Sequence, residues 1–340
     1  MLYSAVRIRD KRGMALLITI MVISLLLAVT VQFNRTVRQM FFASAIQLEG
    51  QNLLTVARSG LTIAAAILEA DGTKNGYDTL QEPWAVRDDA ALAALFTRGA
   101  LSLVITDFSG KLQVNGLVQA GGGEQQEENE LIANANKDIL KRLLLSGTFE
   151  LESEQQAQEI VDALIDWIDT DELESDYGAE DAYYQSLNPP YGCKNGPVTE
   201  IEELLLVKGM TPQLLFGGGG RPGLAEYLTA YGSDGKLNIN TAPVLLLQAL
   251  HPLMTEDLAA DLDEFRRAEE NYEQLENADW YKSVSAWPGD IEFLGENIST
   301  SSFFFQVRAE GRYLDQTKGL TAVVERADNN QILFLSRKVE

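Results

Sequence analysis

The sequence predicts an α+β fold with three parts: an N-terminal transmembrane and stem helix, a head built on an antiparallel sheet, and a large all-α domain inserted into that head. Three observations predict it. An uncharged apolar run covers residues 14–31, helical patterns fill about 131–280, and strand patterns stand on both sides of that block, at 101–115 and 303–337. Strands that bracket a helical block are most simply explained by one sheet with an insertion in its sequence.

The composition argues against several classes of function. The chain has 340 residues, is 46% hydrophobic and 23% charged, and carries a formal net charge of −23, which is typical of a folded, strongly acidic protein. Nucleic acid is not expected as a partner, because phosphate binding needs clustered Lys and Arg. Cys193 and His251 are the only residues of their types, so an intramolecular disulfide and a multi-histidine zinc site are excluded.

The first thirteen residues are basic and the next eighteen are apolar. Arg7, Arg9, Lys11 and Arg12 outnumber a single acidic residue, Asp10. An apolar helix of eighteen residues is about 27 Å long, close to the roughly 30 Å hydrocarbon layer of a bilayer. Because basic flanks stay on the cytoplasmic side, the sequence predicts a cytoplasmic leader, one membrane span and an exported remainder. No small-residue cleavage site follows the span, so the apolar segment is expected to stay in the mature protein.

The helical pattern continues beyond the membrane segment. Apolar residues recur at helical spacing, with no Gly or Pro before Gly50, and the pattern then resumes. The residues are Phe33, Val37, Met40, Phe41, Ile46, Leu48, Leu53, Leu54, Val56, Leu61, Ile63 and Ile67. They predict one continuous helix from about residue 14 to 69, half in the membrane and half outside it.

Strands are predicted on both sides of the helical block. The early pair is 101–107 and 111–115, with Ser109-Gly110 as the hairpin turn between them. The late strands lie within 302–314, 318–328 and 331–339, and Asn329-Asn330 favours the turn between the last two.

Within the helical block, apolar stripes and capping residues mark individual helices. Ile160, Leu164 and Trp167 lie on one helical face. Thr199 with Glu202 forms a predicted capping box, and Thr255 is a predicted N-cap further on.

These patterns divide the chain into five parts. They are a leader at 1–13, a transmembrane and stem helix at 14–70, the first part of the head at 71–120, an inserted α-helical domain with an acidic loop at 121–285, and closing strands at 286–340. The glycine-rich acidic segment at 120–130 is typical of a linker and marks the start of the insertion.

Eight carboxylates crowd the sixteen residues from 166 to 181. They repel one another unless they are solvated or bind a cation, and Ca²⁺ takes six to eight oxygen ligands. Asp169, Asp171 and Glu180 match positions 1, 3 and 12 of an EF-hand loop. Leu173 and Glu174 break that pattern, so the loop is not an EF-hand. The residues alone leave both a solvated acidic surface and a cation site open.

The sequence shows no apparatus for nucleophilic catalysis. It has no G-x-S-x-G elbow and no cysteine beside a plausible base. The segment 217–223 matches G-x-G-x-x-G in form, but Pro222 lies inside it and no strand precedes it, so it is interpreted as a loop. A non-enzymatic protein is therefore expected.

A basic leader that ends at Gly13 before an apolar stem resembles the signal of type IV pilins and pseudopilins. The segments 162–184, 195–211 and 237–243 resemble recurring segments of the K-type minor pseudopilins of bacterial type II secretion systems (general secretion pathway protein K). With the leader and the closing strands, the resemblance covers most of the chain. It implies a pilin-like head with an inserted α-domain, prepilin peptidase cleavage after Gly13 and methylation of Met14. Most pilins have Glu at the fifth position of the mature chain, whereas this sequence has Ile18 at that position. The K-type members share the absence of that Glu.

The resemblance also implies a function, a cofactor and partners. The expected protein is a single-pass inner-membrane subunit with a periplasmic head at the pseudopilus tip, where it nucleates assembly for protein export across the outer membrane. Its implied partners are I- and J-type minor pseudopilins, the major pseudopilin, prepilin peptidase, and the secretin or exported substrate. The implied ligands of a structural Ca²⁺ are Asp169, Asp171, Glu174, Asp176, Glu180 and Asp181. A type IV pilus tip subunit and a membrane-anchored calcium-dependent hydrolase stay open as alternatives.

Overall fold

The computed structural model describes residues 11–86, 91–92, 95–97, 99–118, 126–151 and 153–340. Most of the predicted leader and residues 120–125 of the predicted linker lie outside the described residues. The stem helix, Lys11–Gly72, runs without interruption for 62 residues, as the sequence predicts. Within the described residues, it is the single helix long and apolar enough, by length and composition, to cross a membrane.

Eight strands occur in the described chain, and four of them form the main sheet. These are β1 (Ala100–Asp107), β6 (Phe304–Tyr313), β7 (Gln316–Arg326) and β8 (Ile332–Val339), in the order β1-β6-β7-β8 with every pair antiparallel. The shorter strands are β2 (Leu112–Gln113), β3 (Leu228–Thr229), β4 (Leu237–Asn238) and β5 (Ile298–Ser299). The main sheet thus joins a strand from before the helical block to three from after it, as predicted.

The upper part of the stem helix packs on this sheet. Leu53, Ala57, Leu61, Ala64 and Leu68 are buried, and their spacing of three and four residues places them on one helical face. The sheet contributes the alternating buried residues of β1, β6 and β7 to the same core.

Glycines allow the helix and the sheet to approach closely at two points. A Cβ at Gly60 would overlap the side chains of Leu101 and Ala309, and a Cβ at Gly311 would overlap the backbone of Leu53. Because Ala309 lies by Gly60 and Gly311 lies by Leu53, β6 runs along the stem towards its N-terminal, apolar segment.

The helical block forms a second and larger core. Its helices are Gln126–Leu144, Glu154–Ile168, Asp181–Gln185, Pro212–Phe216, Val244–Ala249 and Glu256–Arg267, joined by short 3-10 turns. The predicted stripe of Ile160, Leu164 and Trp167 is buried in this core, and Thr255 accepts the N-cap hydrogen bond of the last helix from Leu258. The five domain boundaries stay a prediction.

Two local predictions are wrong. The Ser109-Gly110 turn does not close a hairpin, because β2 pairs in parallel with β3 rather than with β1, and residues 114–117 form a 3-10 turn. The capping-box partner of Thr199 is also different. Its backbone N–H and hydroxyl donate to Glu203 instead of Glu202, because the following 3-10 helix begins one residue later, with Glu200 as its N-cap and Glu203 as its third residue.

A buried polar network lies where the stem, the main sheet and the helical block meet. Arg326 of β7 donates to the Asp78 carboxylate at 2.6 Å and to the Ser302 carbonyl at 2.8 Å, and its other nitrogen lies 3.5 Å from Asp71. Burial, followed by the nearby carboxylates of Glu82 and Asp78, raises the pKa of Asp71 to about 7. This junction network therefore buries more carboxylates than cations.

Asp107 extends the junction network to the helical block. Its carboxylate accepts hydrogen bonds from the hydroxyls of Ser302 and Thr241, and from the backbone N–H of Ser109. Burial raises the pKa of Asp107 to about 6. Since Thr241 precedes the Val244–Ala249 helix, these hydrogen bonds connect the two cores.

Candidate functional site

The acidic loop, residues 169–180, begins where a well-formed helix ends. The hydroxyl of Ser153 accepts a hydrogen bond from Gln156 N–H and caps the Glu154–Ile168 helix. At the other end, Asp169 is extended, with ψ of 174°, while its N–H still donates to Ile165. The chain therefore leaves the helix directly into the loop.

Asp166, the last acidic residue of the helix, organises the loop from inside. Its buried carboxylate accepts hydrogen bonds from the N–H and hydroxyl of Ser175 and from the N–H of Ala179. A Cβ at Gly178 would overlap this carboxylate, which explains the glycine at the turn. Asp166 is therefore occupied by the protein's own donors.

Three carboxylates of the loop converge on one point. Oxygens of Asp169, Asp171 and Glu180 all lie within 4.8 Å of one another. We call them the carboxylate trio. Glu180 is only 4% exposed, yet neither of its oxygens accepts a hydrogen bond from the described residues, and neither does Oδ1 of Asp169. Buried acceptors without donors are costly unless a cation occupies the space between them.

The electrostatics of the trio agree with this geometry. Burial, followed by the charges of Asp166 and Asp169, raises the pKa of Glu180 to about 7. Burial and the neighbouring Asp171 raise the pKa of Asp169 to about 6. A bound divalent cation would favour the charged carboxylates and reverse both shifts.

The other three predicted ligands do not join the trio. Glu174 and Asp176 are exposed at the outside of the loop. An oxygen of Asp181 instead accepts a hydrogen bond from the N–H of Cys193 at 3.1 Å. The structure therefore assembles half of the six candidate residues, and the linear sequence does not distinguish the two halves.

Asn195 is a neighbour of the trio that the sequence analysis missed. It has φ of 46°, and its amide nitrogen donates to the backbone oxygen of Asp171 and to the Glu172 carboxylate, each at 3.0 Å. Its amide oxygen is buried and accepts no hydrogen bond from the described residues. In the sequence, the Asn195-Gly196 pair predicts a turn with positive φ. It does not predict that the Asn195 side chain lies beside the carboxylate trio.

Cys193 lies beside the same site without the properties of a nucleophile. Burial raises the pKa of its thiol to about 11, so the reactive thiolate is scarce at neutral pH. Its sulfur donates weakly to the carbonyl of Asp166 at 3.5 Å. The arrangement offers oxygen ligands to a hard cation and holds a loop in place.

A second candidate site is the free part of the stem helix. Between the predicted span and Leu53, the large apolar side chains are exposed to more than half of their surface. They are Phe33, Met40, Phe41, Phe42, Ile46 and Leu48. Exposed apolar side chains in this number, on a helix segment beyond the predicted span, indicate an interaction site for other apolar surfaces.

Comparison with known proteins connects both sites to one family. The model of the family "Type II secretion system (T2SS), protein K" matches residues 110–216, which include the acidic loop. The type II secretion system protein K of Aeromonas hydrophila is 26% identical over 339 residues, covering 97% of each chain. The protein K of Pseudomonas aeruginosa is 24% identical and covers 97% of this chain and 93% of that protein.

The chain is similar to type II secretion system protein K along almost its whole length. Another relative, the protein K of Klebsiella pneumoniae, is 28% identical over 71% of each chain.

A solved structure shows the same fold. A chain of the crystal structure of the GspK-GspI-GspJ complex from the type 2 secretion system of enterotoxigenic Escherichia coli matches with a TM-score of 0.63 and 18% identity. The match covers 87% of this chain and 99% of that chain. The predicted α+β pilin-like fold is therefore confirmed.

Proposed function

We propose that this protein is a non-enzymatic minor pseudopilin at the tip of the type II secretion pseudopilus, where it nucleates assembly with I- and J-type minor pseudopilins for protein export across the outer membrane. The exposed apolar stem surface from Phe33 to Leu48 carries this proposal. The relative from enterotoxigenic E. coli crystallised in a complex with its I and J proteins, which supports the same partners here.

The stem surface suits lateral packing against other helices. Burial of apolar area stabilises by about 25 cal/mol per Å², so six large exposed side chains represent a substantial gain for a bundle of stems. Within the described residues these six side chains stay exposed, whereas the stem packs against the sheet from Leu53 onwards.

Processing and orientation follow from the N-terminus. We propose cleavage after Gly13 by prepilin peptidase at the cytoplasmic face of the membrane, methylation of Met14, and a periplasmic head. Ile18 supports the tip position, because a subunit with nothing above it needs no carboxylate to neutralise the terminal amine of another chain within the membrane. The major pseudopilin and the secretin or exported substrate are further proposed partners.

The proposed cofactor is a structural Ca²⁺ at the carboxylate trio. Asp169, Asp171 and Glu180 would bind it, and the unpartnered buried oxygens of Glu180 support the fit. When bound, the ion orders the acidic loop. The remaining predicted ligands, Glu174, Asp176 and Asp181, are not part of this proposed set.

Co-purification of the full-length chain with its I- and J-type partners tests the proposal. Charged substitutions on the stem, Ile46→Asp and Leu48→Asp, are expected to reduce recovery of the ternary complex. Leu253→Asp, at an exposed leucine of the helical block, is the matched control and is expected to leave recovery unchanged. A monodisperse wild-type chain that forms no ternary complex would contradict the proposal.

A further inference from the structure

The hairpin between β6 and β7 carries an unusual residue at its tip. Tyr313 pairs with Gln316, so Leu314 and Asp315 form a two-residue loop. Leu314 has φ of 50°, in the left-handed region. It is also 86% exposed, more than any other large apolar side chain of the described residues. Two unfavourable features therefore coincide at one side chain.

Neither feature is required by the fold. A two-residue hairpin loop with positive φ ordinarily uses Gly, Asn or Asp, because a Cβ crowds the backbone there. The next turn of the same sheet follows that rule, since its residue with φ of 63° is Asn330. A residue in this conformation that the described residues leave exposed indicates a contact with another molecule.

The position of the tip identifies the surface it belongs to. Gly311 contacts the stem at Leu53, and β6 continues towards the membrane segment from there. The three residues from Gly311 to Leu314 extend about 10 Å, which corresponds to about seven residues of helix. Ile46 lies seven residues before Leu53, two turns further along the same face of the stem, so this distance places Leu314 level with that exposed residue.

We propose that Leu314 docks on the apolar, membrane-proximal stem of a neighbouring pseudopilin, next to the contact made by Ile46. The proposed function assigns the exposed apolar side chains of the stem to helix packing, and the hairpin tip extends that apolar surface. The apolar stem helix of a neighbouring pseudopilin therefore matches the chemistry of Leu314. The inference rests on that proposed function and adds a specific residue of the head to the interface.

Site-specific photo-crosslinking tests the contact directly. A benzophenone side chain at position 314 of the full-length chain, assembled with its I- and J-type partners, is expected to label the partner's stem helix, as mapped by mass spectrometry. The same probe at position 253, in place of another exposed leucine, is the matched control and is expected not to label a stem. Labelling of lipid or of a partner's head from position 314 would overturn the proposal.

A substitution separates docking from stability. Leu314→Asn removes the apolar side chain and relaxes the backbone, so it is expected to weaken the complex about tenfold or more while raising the unfolding midpoint by a few degrees. Leu314→Met keeps an apolar side chain and is expected to retain assembly. Leu253→Asn is expected to change neither the affinity of the complex nor the unfolding midpoint.

The outcomes distinguish the two levels of the argument. If Leu314→Asn raises the unfolding midpoint and assembles as well as wild type, Leu314 has no docking role, although the proposed function stands. If the wild-type chain itself forms no complex, the proposed function fails and this inference fails with it.

Discussion

Replacing Arg326 by Met is expected to destabilise the head severely. The guanidinium is 7% exposed and is the cation of the junction network, with Asp78 at 2.6 Å and Asp71 at 3.5 Å. Its loss removes the cation that faces both Asp78 and Asp71, and it removes a donor from the Ser302 carbonyl. Removal of one partner from a buried ion pair typically costs about 3–5 kcal/mol, and that is the expected loss at pH 8.

The defect is expected to depend on pH. The pKa of Asp71 is about 7 with Arg326 present, and removal of the cation raises it further. At a pH below its raised folded-state pKa, the buried carboxylate keeps its proton and carries no charge in the folded protein. As the pH rises through that pKa, the folded protein has to bury the charged form, so the free energy of unfolding falls. The cost of Arg326→Met should therefore be largest near pH 8 and smaller near pH 5.

Urea unfolding of the full-length chain in detergent, followed by tryptophan fluorescence, measures this cost. Arg308→Met is the matched control, because that side chain is 53% exposed and its pairs with Glu310 and Glu340 lie at the surface. It is expected to cost less than about 1 kcal/mol. A loss below 1 kcal/mol for Arg326→Met, or an equal loss at pH 5 and pH 8, would refute the reasoning.

Three further predictions follow from the stem contact, the acidic loop and a helix cap. Gly311→Ala places a methyl group against the backbone of Leu53 and should lower stability by about 1–3 kcal/mol in chemical unfolding; an unchanged midpoint would contradict the close approach. Glu180→Gln should abolish calcium-induced thermal stabilisation, and in the wild type that stabilisation should grow from pH 5 to pH 8 as Asp169 and Glu180 deprotonate; a pH-independent shift would argue against the trio. Thr255→Ala should cost about 1 kcal/mol through loss of the N-cap, whereas Thr255→Ser should restore most of it.

The long elements are predictable from sequence because their patterns are long. The stem repeats its apolar residues over many turns, and the three closing strands are each eight or more residues long. The β2–β3 pair is two residues long and joins Leu112 to Leu228. No periodicity fits in two residues, so the adjacent Ser109-Gly110 was interpreted as a hairpin turn.

The candidate site is predictable only in outline. The density of carboxylates identifies the acidic loop, but its fold decides their roles. Asp166 becomes an internal hydrogen-bond acceptor, Asp169 and Glu180 face each other, and Glu174 faces solvent. The junction network is invisible in sequence, since Arg326 and Asp78 are 248 positions apart.

The central claim is that the apolar helix beginning at Met14 stays with the mature protein as its anchor and its packing surface. Mass spectrometry of the intact chain, purified from the membrane of a host with its own prepilin peptidase, tests that claim most directly. The account predicts a polypeptide that begins at an N-methylated Met14. A chain trimmed beyond Val31, or a functional chain that keeps residues 1–13, would contradict it.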